Sequence, residues 1–132
     1  WPIINPLSIS IRKIMSIIQK FDSNDTLSEV AVHGSVVYLA GQVPDDDSLD
    51  IAGQSRQVFA NIDKALALAG TDKNHLLSAQ VFIKNLEDFE GFNNAWKEWM
   101  AGSTPPVRAT IQANLVNPNW LAEIMVTAAT QS

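Results

Sequence analysis

The sequence predicts an α+β domain in which a mixed β-sheet carries two helices packed on one of its faces. The predicted elements follow the order strands, helix, strand, helix, strands. Two segments carry apolar residues at helical spacing, whereas the others are short runs rich in β-branched and aromatic residues. With 132 residues, the chain has the size of one domain. The opposite face of such a sheet would be covered by water or by a partner.

The amino-terminal half of the sheet is predicted from three short runs. Residues 15–21, 28–33 and 36–43 are expected to be strands. Asp22–Thr26 is rich in turn-forming residues, and His33–Ser35 is a predicted hairpin corner because Gly34 accommodates a tight turn. Pro44 and the acidic run after it end this part of the sheet.

A long helix is predicted over residues 50–69. Ser48 or Asp50 can cap its start, and Gly70 suits the left-handed position that follows a helix. Its apolar stripe consists of Ile51, Val58, Ile62, Leu66 and Ala69.

A strand over residues 76–84 and a second helix over 86–100 follow. Asn85 is the expected cap of this helix, and Gly102 is expected to end it. Its buried stripe is predicted to be Phe89, Phe92, Trp96 and Met100.

The carboxyl-terminal part is predicted to be a β-hairpin. One strand begins after Pro105-Pro106 and the other spans 120–130, with a turn at Asn117–Asn119. In this register Arg108 lies opposite residues 125–127, and Glu123 lies about four residues further along, roughly 13 Å away. We therefore expect the two charges to meet, if at all, across a subunit boundary.

Composition excludes several classes of protein. There is no cysteine, so disulfides, thiolate metal sites and a cysteine nucleophile are absent. A formal charge of −5 disfavours nucleic-acid and anionic-membrane partners. Only 17% of the residues are charged, compared with about 25% in typical domains, which favours self-association.

Residues 1–14 differ from the rest of the chain. Two prolines interrupt the segment, and its basic residues follow the apolar stretch, unlike those of a secretory signal. We expect these residues to be an extension outside the essential domain, natural or added for expression, and residues 15–132 to form a single domain. We also expect a cytoplasmic protein.

Arg108 and Glu123 are the candidate functional residues because each lies in a strand of mostly apolar composition. A charge in such a strand is costly unless it is paired or used. Arginine on a rigid strand suits bidentate recognition of a carboxylate, and a glutamate among apolar residues suits proton transfer. The alternative is a structural ion pair between the two.

Several segments resemble the reactive intermediate deaminases, the RidA/YjgF family, formerly labelled endoribonuclease L-PSP. Glu123 stands fifteen residues after Arg108, where the family has its acidic residue. The other matching segments are 38–44 (YLAGQVP), Gln54 and Arg56 in the long helix, 85–89 (NLEDF) followed by Asn93, and 106–110 (PVRAT). The resemblance covers about residues 15–130.

The resemblance implies a chorismate-mutase-like fold assembled as a homotrimer with three clefts between subunits. It implies hydrolysis of short 2-imino acids and their enamine tautomers, such as 2-aminoacrylate, to 2-keto acids and ammonia, without metal or cofactor. Arg108 would then bind the substrate carboxylate, and Glu123 would position or activate water. Backbone groups near Gly41 would orient the substrate, and Asn93 would support the pocket.

The chain departs from the family at three substrate-binding positions. Ala40 replaces a common serine, Leu27 a tyrosine and Thr110 a frequent cysteine. These departures leave the carboxylate-binding expectation in place and leave the substrate side chain open. The alternatives to a deaminase are a non-catalytic trimeric module that binds small carboxylates and, less favoured by the charge of −5, a ribonuclease.

Overall fold

The computed structural model describes residues 16–131, which form one six-stranded sheet and two α-helices. The predicted extension at residues 1–14 lies outside the described residues. The strands are β1 Gln19–Ser23, β2 Ser28–His33, β3 Val36–Leu39, β4 Leu76–Ile83, β5 Val107–Gln112 and β6 Ala122–Ala129. The helices are α1 Ile51–Leu68 and α2 Phe89–Met100, with short 3₁₀ turns at Lys73–His75 and Leu86–Asp88.

The sheet is mixed, as predicted, and its strands follow the order β1-β2-β3-β6-β4-β5. Only β4 and β5 run parallel, and the other neighbouring pairs are antiparallel. The predicted β5–β6 hairpin is wrong, because β4 lies between these two strands. Arg108 pairs with Ala79 of β4 rather than with residues 125–127. Chain reversal at Asn117–Asn119 therefore returns β6 to the middle of the sheet.

Three strand boundaries in the amino-terminal half differ from the prediction. β1 starts at Gln19 and continues to Ser23, whose hydroxyl lies 2.7 Å from that of Ser28 on β2. β3 ends at Leu39 rather than at residue 43, and the chain rejoins the sheet through a single bridge between Gln42 and Ile124. The predicted β2–β3 corner is confirmed, with Gly34 at φ 61°.

Helix α1 forms as the sequence predicts. The Asp50 carboxylate accepts a hydrogen bond of 2.9 Å from the backbone N–H of Gly53, and Gly70 adopts φ 72° after the helix ends. Buried Gln54 ties the start of α1 to the segment that leads into β6. Its side chain bonds the carbonyls of Asp47, Leu49 and Asn119 and accepts the N–H of Leu121 at 2.7 Å.

Helix α2 differs from the prediction at its start. The first turn is 3₁₀, and the Asn85 side chain does not cap it but lies 3.4 Å from the Asp88 carboxylate instead. Phe89, predicted to be buried, is 40% exposed because it stands at the first residue of the helix. The buried positions of α2 are Phe92, Ala95, Trp96, Trp99 and Met100.

The core lies between the helices and one face of the sheet, here called the helix face. Alternating residues of the central strands β4 and β6 point into it, including Ala79, Val81, Ile124 and Val126. The other face, here called the open face, carries exposed apolar side chains, among them Tyr38, Val107, Ile111 and Met125. On β5 the apolar positions thus face outward, while Arg108 and Thr110 share the helix face with the core.

Candidate active site

Arg108 is held on the helix face of β5 by an aromatic platform. Because it pairs with buried Ala79, its side chain points towards α2. Its guanidinium carbon lies 5.0 Å from the ring centroid of Trp96 and 5.8 Å from that of Phe92, within the range of cation–π attraction. Burial lowers the pKa of Arg108 from its ordinary value, and the group stays protonated near neutral pH.

The N–H donors of Arg108 are unused in the part of the chain that the structure describes. Within residues 16–131 this arginine forms neither a hydrogen bond nor an ion pair. The predicted alternative, a structural ion pair with Glu123, is therefore wrong within one chain. A partly desolvated and oriented guanidinium with unused donors is suited to binding an anion through two parallel bonds.

Thr110 follows Arg108 on β5, and Asn93 neighbours Trp96 on α2. Thr110 is two residues further along β5 on the same face, and its buried Oγ1 has no hydrogen-bond partner among the described residues. Asn93 is half-buried on α2, three residues before Trp96 and hence its neighbour on the helix surface. Arg108, Thr110, Asn93 and Trp96 are called the arginine group below.

Glu123 lies on the open face, because its neighbours Ala122 and Ile124 are fully buried on the helix face. Burial raises the pKa of Glu123 above its ordinary value, and the side chain forms no hydrogen bond or ion pair within the described chain. Its carboxylate packs on Gly41, where an added Cβ would stand 2.4 Å from Oε2. The missing side chain at Gly41 thus makes room for the carboxylate.

Gln42 fixes the backbone beside this carboxylate. Its N–H and carbonyl bond the carbonyl and N–H of Ile124 at 2.8 and 3.1 Å. Its side-chain Nε2 donates to Glu29 Oε2 at 2.9 Å and to the carbonyl of Ala40 at 3.0 Å. Ala40 is half-buried, and its methyl group supplies no polar contact. Glu123, Ala40, Gly41 and Gln42 are called the glutamate group below.

The two groups lie on opposite faces of the sheet and do not meet within one chain. Leu27, also predicted to bind substrate, stands in the β1–β2 turn and is 43% exposed. A hollow of about 260 Å³ reaches Gly41, but Glu29, Asn61 and Lys64 line it and Arg108 does not. It is therefore not a site that combines both charges.

The sequence pointed to the two charges but missed the residues that hold them. Trp96 was predicted only as part of a buried stripe, although it also carries the guanidinium of Arg108. Gln42 is indicated in the sequence only as part of the family-like segment 38–44. Its side-chain amide nevertheless orders the backbone next to Glu123. An aromatic residue on a helix facing an arginine-bearing strand is a signal that could have indicated the platform.

The described residues favour neither metal nor histidine chemistry. No group of three or more histidine, aspartate or glutamate side chains in residues 16–131 is arranged to hold a metal ion. His33 is exposed, and His75 Nδ1 lies 2.8 Å from Asp72 Oδ1. The helices in this part of the chain are too short or too polar to cross a bilayer.

Comparison with known proteins identifies relatives along nearly the whole described chain. The profile of the family described as Endoribonuclease L-PSP matches residues 17–130. A RutC family protein of Haemophilus ducreyi is 46% identical over 112 residues, covering 85% of this chain and 96% of the relative. The RutC family protein YoaB of Escherichia coli is 35% identical over 112 residues, covering 85% and 97%.

Solved structures agree with the fold. A crystal structure of an uncharacterized protein from Pseudomonas aeruginosa matches with a TM-score of 0.84 and 38% identity, covering 87% of this chain and all of the other. A YjgF family member from Neisseria meningitidis matches with a TM-score of 0.86 and 32% identity, covering 89% and 98%.

Proposed function

The chain belongs to the RidA/YjgF family, and from that premise we propose that it hydrolyses short 2-imino acids and their enamine tautomers to 2-keto acids and ammonia. Water adds to the C=N carbon, and the resulting carbinolamine loses ammonia, so that one water is consumed for each ammonia released. A free imine already reacts with water, so the protein has to supply positioning and modest proton transfer rather than a strong nucleophile.

The unused guanidinium of Arg108 is the observation that carries this proposal. Contact with the Trp96 ring restrains its guanidinium, and partial burial strengthens its attraction for an anion. The carboxylate of a 2-imino acid offers the two oxygens that this fork binds. The hydroxyl of Thr110, buried without a partner, lies on the same side of β5 for a further bond.

Glu123 is proposed to handle the water. Its raised pKa makes the ionised carboxylate a stronger base, able to take a proton from water and return it to the departing nitrogen. Contact with Gly41 restricts where the carboxylate lies, and Gln42 holds that backbone in place. Backbone groups at Gly41 are then available to orient the substrate.

Both groups serve one substrate only if two copies of the chain come together. We infer a homotrimer in which the arginine group of one subunit faces the glutamate group of the next, giving three clefts. The open face supports such an assembly, because it exposes Tyr38, Val107 and Met125 by 49%, 73% and 40%. The low charge content of the chain, 17%, supports it as well.

Ammonia release tests the proposed activity. 2-Aminoacrylate is generated by a cysteine or serine lyase, and its decay is followed with and without the protein. We expect faster release with the wild type, loss of the acceleration in Arg108→Ala, and no change in Arg56→Ala. Arg56 is a suitable control because it is an exposed arginine on α1, paired with Glu98 at 3.4 Å.

The same experiment separates the two alternatives. A protein that binds 2-oxobutanoate through Arg108 but never accelerates ammonia release is a carboxylate-binding module, and the deaminase proposal is then wrong. The ribonuclease alternative predicts RNA cleavage that withstands salt and is lost on replacing His33 or His75. The charge of −5 and the bond between His75 and Asp72 support neither RNA binding nor a histidine pair.

A further inference from the structure

A hollow of about 200 Å³ opens at the β5 edge of the sheet, next to the arginine group. It lies between the edge strand β5 and the first turn of α2, and most of its lining is apolar. Its walls are formed by Ile83, Leu86, Phe89, Thr110, Ile111 and Gln112.

The position of the hollow relative to Arg108 indicates which part of a bound molecule would reach it. Thr110 is two residues beyond Arg108 on the same face of β5, which is about 6.6 Å along an extended strand. A molecule whose carboxylate is held by Arg108 therefore has Thr110 beside it and the hollow beyond. Gln112, at the far end, already donates its amide to the carbonyl of Lys84 at 3.1 Å.

The chemistry of the lining indicates what the hollow accepts. No charged side chain of the described residues lines it, and Leu86 and Phe89 are 67% and 40% exposed. When an apolar group covers exposed apolar side chains around a concave surface, the free energy falls because apolar area is removed from water. A methyl group, as on the imine derived from alanine, leaves most of this space empty.

The inference that follows rests on the proposed function. We propose that this hollow binds the substrate side chain and selects 2-imino acids with a branched aliphatic side chain, such as isobutyl, over those with methyl. A single methylene in an apolar pocket changes selectivity by about tenfold or more. The wild type therefore prefers the isobutyl compound to the methyl compound by at least about tenfold.

Binding and hydrolysis are measured separately, so that the two proposals can fail independently. Calorimetric titration compares 4-methyl-2-oxopentanoate with pyruvate, and ammonia release compares the imines that an amino-acid oxidase makes from leucine and alanine. The test variant is the double substitution Leu86→Ala and Phe89→Ala, at two exposed positions that the fold tolerates. The control is Val116→Ala, at a residue that is 93% exposed and does not line the hollow.

The subsite is supported if the wild type and Val116→Ala prefer the isobutyl compound to the methyl compound by tenfold or more. In the double variant the same ratio should fall towards one. A wild-type ratio near one, or a ratio that survives the double substitution, overturns it, as does failure of both oxo acids to bind. If the oxo acids bind with the expected preference but no imine is hydrolysed faster than in buffer, the subsite is supported and the deaminase proposal is overturned.

Discussion

Replacing Gly41 by alanine places a methyl group where the Glu123 carboxylate lies. The added Cβ would stand 2.4 Å from Oε2, 3.1 Å from Cδ and 3.4 Å from Cγ of Glu123. Restoring van der Waals contact of 3.4 Å from 2.4 Å moves Oε2 by about 1 Å. A catalytic group misplaced by about 1 Å costs about 100-fold in rate, so we expect kcat for 2-aminoacrylate to fall by about that factor in Gly41→Ala.

The same substitution leaves the fold nearly unchanged. Gly41 is not among the residues with positive φ, and the atoms that the methyl group meets belong to the movable end of a side chain. We expect the free energy of unfolding in urea to change by less than about 0.5 kcal/mol. The assay pair is therefore ammonia release for kcat and urea unfolding for stability.

Gly70→Ala is the matched control, because we expect it to lower stability and leave kcat unchanged. Gly70 adopts φ 72° after α1, and an added Cβ has nothing within 4 Å. Alanine in this left-handed conformation costs about 1 kcal/mol of stability, while kcat stays at the wild-type value. A Gly41→Ala protein that keeps full kcat would refute the reasoning, because the position of the Glu123 carboxylate would then not matter.

Three further substitutions give distinct outcomes. Arg108→Lys keeps the charge but loses the two-pronged geometry, and we expect the Kd for 2-oxobutanoate to rise about tenfold by calorimetry; an unchanged Kd would contradict bidentate binding. In Glu123→Gln kcat is lost, yet the folded state resists urea better than the wild type at neutral pH, because ionised Glu123 opposes folding once its pKa is raised. This gain should vanish below about pH 4, where the carboxyl is protonated in both states, and a gain independent of pH would contradict the sign. Gln54→Leu leaves two partly buried carbonyls and one N–H near the start of α1 without their partner, and we expect a loss of about 3 kcal/mol in the free energy of unfolding in urea; a loss below about 1 kcal/mol would show that these bonds are dispensable.

Local signals in the sequence were sufficient to predict α1, β2 and the β2–β3 corner. Asp50 and Gly70 mark the two ends of α1 through their own backbone and side-chain preferences, and Gly34 marks the β2–β3 corner. Such signals depend on residues a few positions apart. They therefore fixed α1 within one residue at each end and β2 at its observed boundaries.

The strand that pairs with β5 could not be predicted from such local signals. A turn at residues 117–119 favours a hairpin with β6, but β5 instead lies parallel to β4, with Arg108 5.0 Å from the ring centroid of Trp96 on α2. This choice depends on burying Trp96 and Phe92 against Arg108, contacts between residues that are distant in the chain. Only the three-dimensional structure shows that the helix face of β5 carries Arg108 and Thr110.

Arg108 and Glu123 were found because charges in apolar strands are unusual, and this reason holds in the structure. Their separation onto opposite faces was not predicted, since the assumed hairpin register was wrong. The expectation that they do not meet within one chain nevertheless stands, on the ground that they point to different sides of the sheet.

Mixing two inactive variants tests the central claim that the site is shared between copies of the chain. Arg108→Ala and Glu123→Gln are each inactive, and they are unfolded together and refolded at equal concentrations. If each cleft takes its arginine from one subunit and its glutamate from the next, about one quarter of the clefts receive both intact residues, whatever the number of subunits in the ring. We predict ammonia release at about one quarter of the wild-type rate; a mixture as inactive as its two components contradicts a shared site.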